Sequence, residues 1–262
     1  MVTDLDGTFW DRADDIHPAH VAAWKDLERR GVHVIVATGR RVTTTRDPLA
    51  AVGIVPHAIV LNGALAIDFR TRETFHRTRY DVATGQRVLA AFRAAGLDPC
   101  VYVEHADIDV YVGAAPSTHP AHLASFGGRA VQADLDAIVA TVPVLSFGII
   151  GHPHAPLAEV VASIGDDSET HLLVEPLYGE TTLNVVPVGI SKWAGVLAYC
   201  AKAGLDPARV LAAGDGPNDR ELLDHAAVAV VPSTGGAEAL AAADHVIPPP
   251  SEGGWAEILD LV

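Results

Sequence analysis

The chain begins with two carboxylates, Asp4 and Asp6, that stand one residue apart and run into Gly7 and Thr8. In an extended segment alternate side chains point the same way, so both are expected on one face, at the end of a strand over residues 1–3. Repulsion and loss of water raise the pKa values of such a pair, so a cation or a held proton would stabilise it. The pair indicates metal binding or acid–base chemistry, although an Asp-rich turn explains the same residues without a function.

Three further polar clusters follow apolar runs or open helices elsewhere in the chain. They are Thr38-Gly39, Lys192, and Asp215 with Asn218 and Asp219. Each has an ordinary alternative, namely a strand-to-helix turn, a solvated lysine in the first turn of a helix, and a helix N-cap. A cation in a first turn opposes the helix dipole, however. Independent accidents at all of these places are less plausible than one shared site.

The combined residue types suit phosphoryl transfer. Three carboxylates at strand ends make a hard oxygen site of the kind that Mg²⁺ prefers. A threonine hydroxyl, a glycine N–H and a lysine ammonium can neutralise phosphoryl oxygens as charge redistributes. One carboxylate of the first pair can attack phosphorus while the other, protonated, serves the leaving group and then activates water. The set therefore predicts a reaction that needs two acids side by side.

The elements that must position these residues alternate between helix and strand at both ends of the chain. The alternating segments are predicted as helices 18–30, 42–52 and 191–202 and strands 32–37, 58–61, 209–213 and 228–231. This alternation predicts a Rossmann-like parallel sheet with right-handed crossovers. In such sheets ligands bind at the carboxyl ends of the strands, which is where Asp4, Thr38 and Asn62 fall.

The middle of the chain follows a different pattern, because adjacent strand-like stretches are joined by short turns and mixed with helices. That pattern predicts a partly antiparallel sheet with helices on one side. A chain of 262 residues is long enough for two domains. We therefore expect a core made of segments 1–79 and 185–262, with a second domain, 80–184, inserted into it.

Composition excludes several classes of partner. A formal net charge of −15 disfavours nucleic acid and anionic membrane surfaces. No uncharged apolar run approaches the roughly 18 residues that span a bilayer, and no secretory signal precedes Asp4, so a cytoplasmic location is expected. Cys100 and Cys200 are expected to be reduced thiols, and the 13 histidines lack the clustered ligands of a zinc site. A small phosphorylated molecule held by a local positive site remains compatible.

The ordered motifs Asp-x-Asp-Gly-Thr, Ala-Thr-Gly-Arg, Ser-Lys and Gly-Asp-Gly-x-Asn-Asp resemble the haloacid dehalogenase-like superfamily. The resemblance is to its Cof-type phosphatases, which carry a large cap between the second and third motifs. It implies an α/β fold with a Rossmann-like parallel core and an inserted α+β cap domain. The implied activity is Mg²⁺-dependent hydrolysis of a small phosphorylated metabolite, in the first place a sugar phosphate. Pro217 and residues 230–232 lean toward the mannosylphosphoglycerate and sucrose-phosphate phosphatases.

The resemblance also implies roles for single residues. Asp4 would be the nucleophile that forms an aspartyl-phosphate, and Asp6 the general acid and base, which also gives its backbone carbonyl to Mg²⁺. The implied catalytic residues are Asp4, Asp6, Thr38 and Lys192, and the implied metal residues are Asp4, Asp6, Asp215 and Asp219. The implied phosphate or substrate contacts are Gly7, Thr8, Thr38, Gly39, Arg40, Asn62, Gly63, Lys192 and Asn218. Cap residues that could contact substrate are Tyr102, Glu104, Tyr178 and Glu180.

Two other functions use similar residues. A phosphomutase shares the core and differs in whether the phosphoryl group passes to water or to a second hydroxyl. A receiver-type regulator also combines acids, Thr and Lys on a parallel sheet, but such modules are about half this length. The sequence leaves open whether the chain is a monomer or a homodimer.

Overall fold

The structure is a computed structural model that describes residues 1–11, 15–105, 108–175 and 179–262. It divides into two compact units, one formed by Met1–Arg77 with Ser191–Val262 and the other by Thr78–Ile190. We call these the core unit and the inserted unit. Within the described ranges, no helix combines the length and apolarity required to cross a membrane.

The strands are β1 Val2–Thr3, β2 Ile35–Ala37, β3 His57–Val60, β4 Leu65–Asp68, β5 Thr74–Arg77, β6 Cys100–Val103, β7 Val110–Val112, β8 Ala130–Gln132, β9 Val144–His152, β10 Ser168–Glu175, β11 Glu180–Pro187, β12 Leu211–Ala213, β13 Val228–Pro232 and β14 His245–Ile247. The α-helices are α1 Pro18–Arg29, α2 Val42–Ala51, α3 Val82–Ala94, α4 Pro120–Ala124, α5 Leu135–Thr141, α6 His154–Ser163, α7 Lys192–Ala203, α8 Arg220–His225 and α9 Ala237–Ala242.

The core unit contains an eight-stranded sheet in the order β14-β13-β12-β1-β2-β3-β4-β5. The six strands from β14 to β3 are parallel, as the alternation of helices and strands predicts. β4 and β5 extend the sheet as antiparallel strands, which the sequence pattern did not predict. Their short connections allow antiparallel pairing, whereas a parallel strand needs a long crossover.

Residues of the first strand are central to this sheet. β1 pairs with β12 on one side, through Val2 and Ala212, and with β2 on the other, through Val2 and Ile35. Val2 is fully buried. The strand has only two residues, yet both of its neighbours are parallel to it, so its carboxyl end opens at the same edge of the sheet as theirs. Asp4 lies at that edge.

The inserted unit is an α+β fold with a six-stranded sheet in the order β10-β11-β9-β6-β7-β8. All neighbouring pairs are antiparallel except β7 with β8. The core of this unit joins residues of α3, α5 and α6 to Val101, Phe147 and Leu183 of the sheet. Side chains alternate along a strand, so these helices cover the sheet face from which those residues project.

The boundary expected after residue 184 is displaced. β11 runs unbroken from Glu180 to Pro187 and pairs with β10 as far as Ser168 and Pro187. A unit boundary inside that ladder would break its hydrogen bonds, and the chain instead returns to the core unit after Ile190. It enters the inserted unit between Arg77 and Thr78, two residues before the expected position.

Candidate active site

A buried lysine joins two carboxylates from distant parts of the core unit. Lys192 Nζ lies 2.6 Å from Asp4 Oδ1 and 2.7 Å from Asp219 Oδ1. Asp4 is held at the sheet edge by its backbone N–H, which donates to Ala213 O at 2.8 Å. The Lys192 side chain is 1% exposed, and those of Asp4 and Asp219 are 6% and 1% exposed. The sequence placed these three residues in one site, and the structure brings them into contact.

Helix α7 carries Lys192 at its first residue. Ser191 caps this helix, with its Oγ accepting from Ala194 N at 3.1 Å. The cap offsets the cost of placing a cation in the first turn, where the helix dipole opposes positive charge. The two carboxylates supply the larger compensation. Ser191 precedes the lysine directly in the sequence, and its preference for N-caps is the signal that identifies it.

Asp219 organises the loop that follows β12. Its Oδ2 accepts from the backbone N–H groups of Asp215 and Gly216, both at 3.1 Å, while its Oδ1 receives Lys192. Three donors on one carboxylate fix its orientation, and charge-assisted bonds of this kind are stronger than neutral ones. Asp219 therefore orients both Lys192 and the backbone that carries Asp215.

Burial shapes the electrostatics of the acidic cluster. Burial raises the pKa of Asp4 well above its ordinary value, against the opposing attraction of Lys192, and Asp219 adds repulsion. Burial, followed by repulsion from Asp219, raises the pKa of Asp215 to about 6, although a hydrogen bond from Thr8 opposes this. For Lys192 burial disfavours the charge, but Asp219 and Asp4 outweigh it and raise the pKa. The two carboxylates therefore favour the charged form of Lys192.

The donor set fits a hard divalent cation. Asp4, Asp215 and Asp219 each offer an oxygen, and these oxygens lie within 4.8 Å of one another. Carboxylate oxygens are the ligands that Mg²⁺ prefers. Since Lys192 neutralises one of three negative charges, a divalent ion would offset the repulsion that adds to burial in raising the pKa values of Asp4 and Asp215. The Asp6 carboxylate lies outside this group.

Asp4 and Asp6 differ sharply in environment, contrary to the expectation that they share one strand face. β1 ends at Thr3, and a tight turn follows in which Phe9 N and Trp10 N both donate to Leu5 O. Asp4 is buried, whereas the Asp6 side chain is 48% exposed. Two strand residues are too few to extend the alternating pattern to position 6.

The Asp6 carboxylate is held by a guanidinium and an indole. Arg40 Nε lies 2.6 Å from Asp6 Oδ2, Arg40 Nη2 lies 2.6 Å from Oδ1, and Trp10 Nε1 donates to Oδ1 at 3.0 Å. The Arg40 guanidinium lies 5.3 Å from the centroid of a Trp10 ring. The expected site included Asp6 and Arg40 but missed Trp10, for which the sequence gives no chemical signal.

Gly7 allows the turn to approach the acidic cluster. Its φ is +76°, and a β-carbon at this position would lie 2.2 Å from Asp215 Oδ2. A larger residue would be both strained and in collision with the carboxylate. The neighbouring Thr8 Oγ1 donates to Asp215 Oδ1 at 3.2 Å. Gly7 and Thr8 of the first motif are thus packed against the Asp215 carboxylate.

The loops after β2 and β3 meet beside the same cluster. Thr38 N donates to Ile59 O at 2.8 Å, Thr38 Oγ1 accepts from Arg40 N at 3.2 Å, and Asn62 N donates to Thr38 O at 3.0 Å. Asn218 Nδ2 donates to Asn62 Oδ1 at 3.0 Å. The structure therefore joins these expected phosphate or substrate residues through direct hydrogen bonds.

Two glycines fit closely within these loops. A β-carbon at Gly63 would lie 2.1 Å from Ser191 O, so the chain passes against the cap of α7. A β-carbon at Gly39 would lie 3.0 Å from Asn62 Oδ1. Small residues at these positions allow the loops to pack directly on one another.

The residues expected to contact substrate from the cap lie in the inserted unit. Tyr102 is buried, its hydroxyl is 3.3 Å from His122 Nε2 and its ring packs near Phe126. Glu104 is half-buried and Glu180 is exposed. Tyr178 lies outside the described residues. Substrate contact by these side chains stays a prediction.

Comparison with known proteins gives one family and several relatives. A family model described as haloacid dehalogenase-like hydrolase matches residues 1–259. The chain is 22% identical to a "Putative phosphatase" of Mycoplasma pneumoniae, over 90% of this chain and 86% of that protein. It is 23% identical to the "Endoribonuclease YBEY, chloroplastic" of Arabidopsis thaliana over 92% of its own length. It spans only 42% of that longer protein.

Solved structures share the fold at low sequence identity. A phosphatase, BT1666 from Bacteroides thetaiotaomicron, superposes on this chain with a TM-score of 0.81 at 17% identity. The superposition covers 99% of this chain and 93% of that protein. The subclass IIB sugar phosphatase BT4131 gives a TM-score of 0.78 at 21% identity, covering 97% of that protein and 99% of this one. At these identities the likeness establishes the fold alone.

Proposed function

The chain belongs to the haloacid dehalogenase-like hydrolases, and from this premise we propose that it is a Mg²⁺-dependent phosphatase acting on a small phosphorylated metabolite. The observation that carries the proposal is the buried Lys192 between Asp4 and Asp219. A cation in this position can neutralise a phosphoryl group brought up to Asp4, and it holds the attacking carboxylate in place. The match of a hydrolase family over residues 1–259 supports an enzyme over a receiver-type regulator.

Asp4 is the proposed nucleophile. Lys192 binds its Oδ1, so Oδ2 is the oxygen that would attack phosphorus. As the new oxygen–phosphorus bond forms, the bond from phosphorus to the leaving oxygen breaks. Asp6 in its protonated form, released from its pair with Arg40, gives that oxygen a proton. Water then attacks phosphorus, Asp6 takes its proton, and the Asp4 carboxylate is released together with inorganic phosphate.

The remaining residues have positioning and neutralising roles in this proposal. Thr38 and Lys192 would hold the phosphoryl oxygens, and Asp219 would keep Lys192 aimed at Asp4. Asp4, Asp215 and the Asp6 backbone carbonyl would hold Mg²⁺, with Asp219 beside them. When bound, Mg²⁺ supplies positive charge to the carboxylates and to the phosphoryl group, which lowers the repulsion between them.

A sugar phosphate is the proposed substrate class. Support comes from BT4131, which is described as a sugar phosphatase, and from relatives described as phosphatases, including a "Phosphoglycolate phosphatase" of Methanopyrus kandleri that is 23% identical to this chain. The activity of the longer plant relative is not transferred to this chain, since the match covers less than half of that protein.

The test is release of inorganic phosphate from a panel of sugar phosphates and phosphorylated short acids, with Mg²⁺ and with EDTA. We expect release from at least one substrate that requires Mg²⁺ and is lost in Asp4→Asn. This variant keeps the size of the side chain and an oxygen acceptor for Lys192, so circular dichroism should be unchanged. Full activity in Asp4→Asn, or equal release in EDTA, would contradict the mechanism.

A further inference from the structure

The loop after β3 adopts a costly backbone conformation at two consecutive residues. Leu61 has a φ of +51° and Asn62 a φ of +56°, both in the left-handed region that side chains other than glycine disfavour. Asparagine tolerates this region better than most residues, because its short amide can bond locally. Strained backbone of this kind persists where the surrounding contacts impose it, and it often accompanies function.

The strained loop is tied to the loop after β2 by backbone hydrogen bonds. Leu61 N donates to Arg40 O at 2.9 Å, and Asn62 N donates to Thr38 O at 3.0 Å. These bonds fix the backbone on either side of Gly39. Since Thr38 is a proposed phosphoryl-holding residue, the position of its backbone depends on residues 61 and 62.

The side chain of Asn62 reaches a third loop. Its Oδ1 accepts from Asn218 Nδ2 at 3.0 Å, across 156 positions of sequence. Asn218 directly precedes Asp219, which binds Lys192 and the backbone of the loop after β12. The absence of a side chain at Gly39 makes room for the amide, because a β-carbon there would lie 3.0 Å from Asn62 Oδ1.

We propose that Asn62 is a positioning residue, which sets the distance between the Thr38 loop and the Asp219 loop and acts on catalysis through Asn218. This proposal rests on the proposed phosphatase function and deepens it. It differs from the expectation that Asn62 binds substrate, because a substrate contact acts mainly on KM. A residue that aligns Thr38, Lys192 and Asp4 acts on the transition state and therefore on kcat.

Three substitutions separate the amide from the backbone conformation. Asn62→Gly keeps the left-handed conformation available and removes the side chain. Asn62→Ala removes the same amide but resists the conformation, so it should unfold at a lower urea concentration than Asn62→Gly. Asn62→Asp keeps an acceptor for Asn218 and tolerates the backbone. Comparison of Asn62→Gly with Asn62→Ala isolates the effect of backbone strain. Comparison of Asn62→Gly with Asn62→Asp isolates the effect of the hydrogen bond to Asn218.

The assay uses para-nitrophenyl phosphate with Mg²⁺ together with the best substrate of the phosphate-release panel. For Asn62→Gly and Asn62→Ala we expect kcat to fall about tenfold or more with KM changed by less than about threefold. For Asn62→Asp, kcat should recover most of this loss while KM rises, because the added charge repels the phosphate. Unchanged kcat in Asn62→Gly with a raised KM would overturn the proposal in favour of a substrate contact.

A second readout is independent of turnover. In the metal-free protein, the side-chain amide resonances of Asn218 in a ¹⁵N-labelled sample should shift in Asn62→Gly and stay near their original position in Asn62→Asp. Unchanged Asn218 resonances in Asn62→Gly would refute the contact itself. If the wild-type chain releases no phosphate, the proposed function fails, whereas active wild type with a fully active Asn62→Gly refutes only this inference.

Discussion

Replacing Asp215 by Asn is expected to stabilise the metal-free protein at neutral pH while it abolishes phosphatase activity. The Asp215 carboxylate is partly buried beside Asp219, and these two effects raise its pKa to about 6. An amide of the same shape removes the charge and keeps an oxygen that can accept from Thr8 Oγ1. The variant thereby relieves a cost that the native protein carries for its proposed cation site.

The size of the effect follows from the pKa. The rise from the ordinary value of 3.8 to about 6 corresponds to roughly 3 kcal/mol, at about 1.4 kcal/mol for each tenfold change in proton affinity. Partial solvation of Asp215 makes this figure an upper value. The free energy of unfolding of Asp215→Asn in EDTA at pH 7 should therefore exceed that of wild type by about 1 to 3 kcal/mol.

The sign of the pH dependence is fixed by the raised pKa. Below 3.8, the ordinary value for Asp215, the carboxyl is protonated in the folded and the unfolded chain alike. As pH rises toward about 6, the unfolded chain ionises first, so wild type loses stability relative to the variant. Above that pH the loss is complete. The pKa of the Asp4 carboxyl is also raised. Asp4 is present in both wild type and Asp215→Asn, so its effect largely cancels in the difference between their free energies of unfolding.

Urea denaturation followed by tryptophan fluorescence measures this difference. All four tryptophans, Trp10, Trp24, Trp193 and Trp255, lie in the core unit, which also holds Asp215. The curves are recorded at pH 5 and pH 7, in EDTA and in Mg²⁺. Mg²⁺ should stabilise wild type and change the variant much less, because the added charge relieves repulsion that the amide has already removed.

The matched control is Asp260→Asn, which removes the same charge from an exposed position in the core unit. Its free energy of unfolding should stay within about 0.5 kcal/mol of wild type at both pH values. Equal or lower stability of Asp215→Asn in EDTA at pH 7, with no difference between the two pH values, would refute the reasoning from burial and repulsion.

Two other substitutions test neighbouring contacts. Lys192→Met should lower the free energy of unfolding in EDTA by about 3–5 kcal/mol, because Asp4 and Asp219 would be left buried without their cation. Urea denaturation measures this loss, and a value below about 1 kcal/mol would contradict the prediction. Asp6→Asn should reduce kcat for phosphate release by about 10²–10⁴-fold. It should change the free energy of unfolding by less than about 1 kcal/mol, because the pair with Arg40 is partly exposed; a large stability loss with normal kcat would assign Asp6 a structural role instead.

The sequence alone indicated the family and the α/β class, and it predicted four residues that the structure brings together. Asp4, Lys192, Asp215 and Asp219 could be identified because each follows an apolar strand or opens a helix, and parallel strands end at a common edge. Charge also contributed, since a lysine in a first helical turn is unfavourable unless acids compensate it. Local pattern is sufficient where chemistry, periodicity and topology point to the same place.

Only the tertiary structure decided how these residues divide their contacts. The alternation rule placed Asp4 and Asp6 on one face, but β1 ends after two residues and the turn at Leu5 sends Asp6 to Arg40 and Trp10. The contact between Asn62 and Asn218 joins loops 156 positions apart. The short antiparallel strands β4 and β5, in contrast, pair with neighbours that are close in sequence. Distances across folded loops depend on packing and on strained backbone angles, neither of which a one-dimensional pattern records.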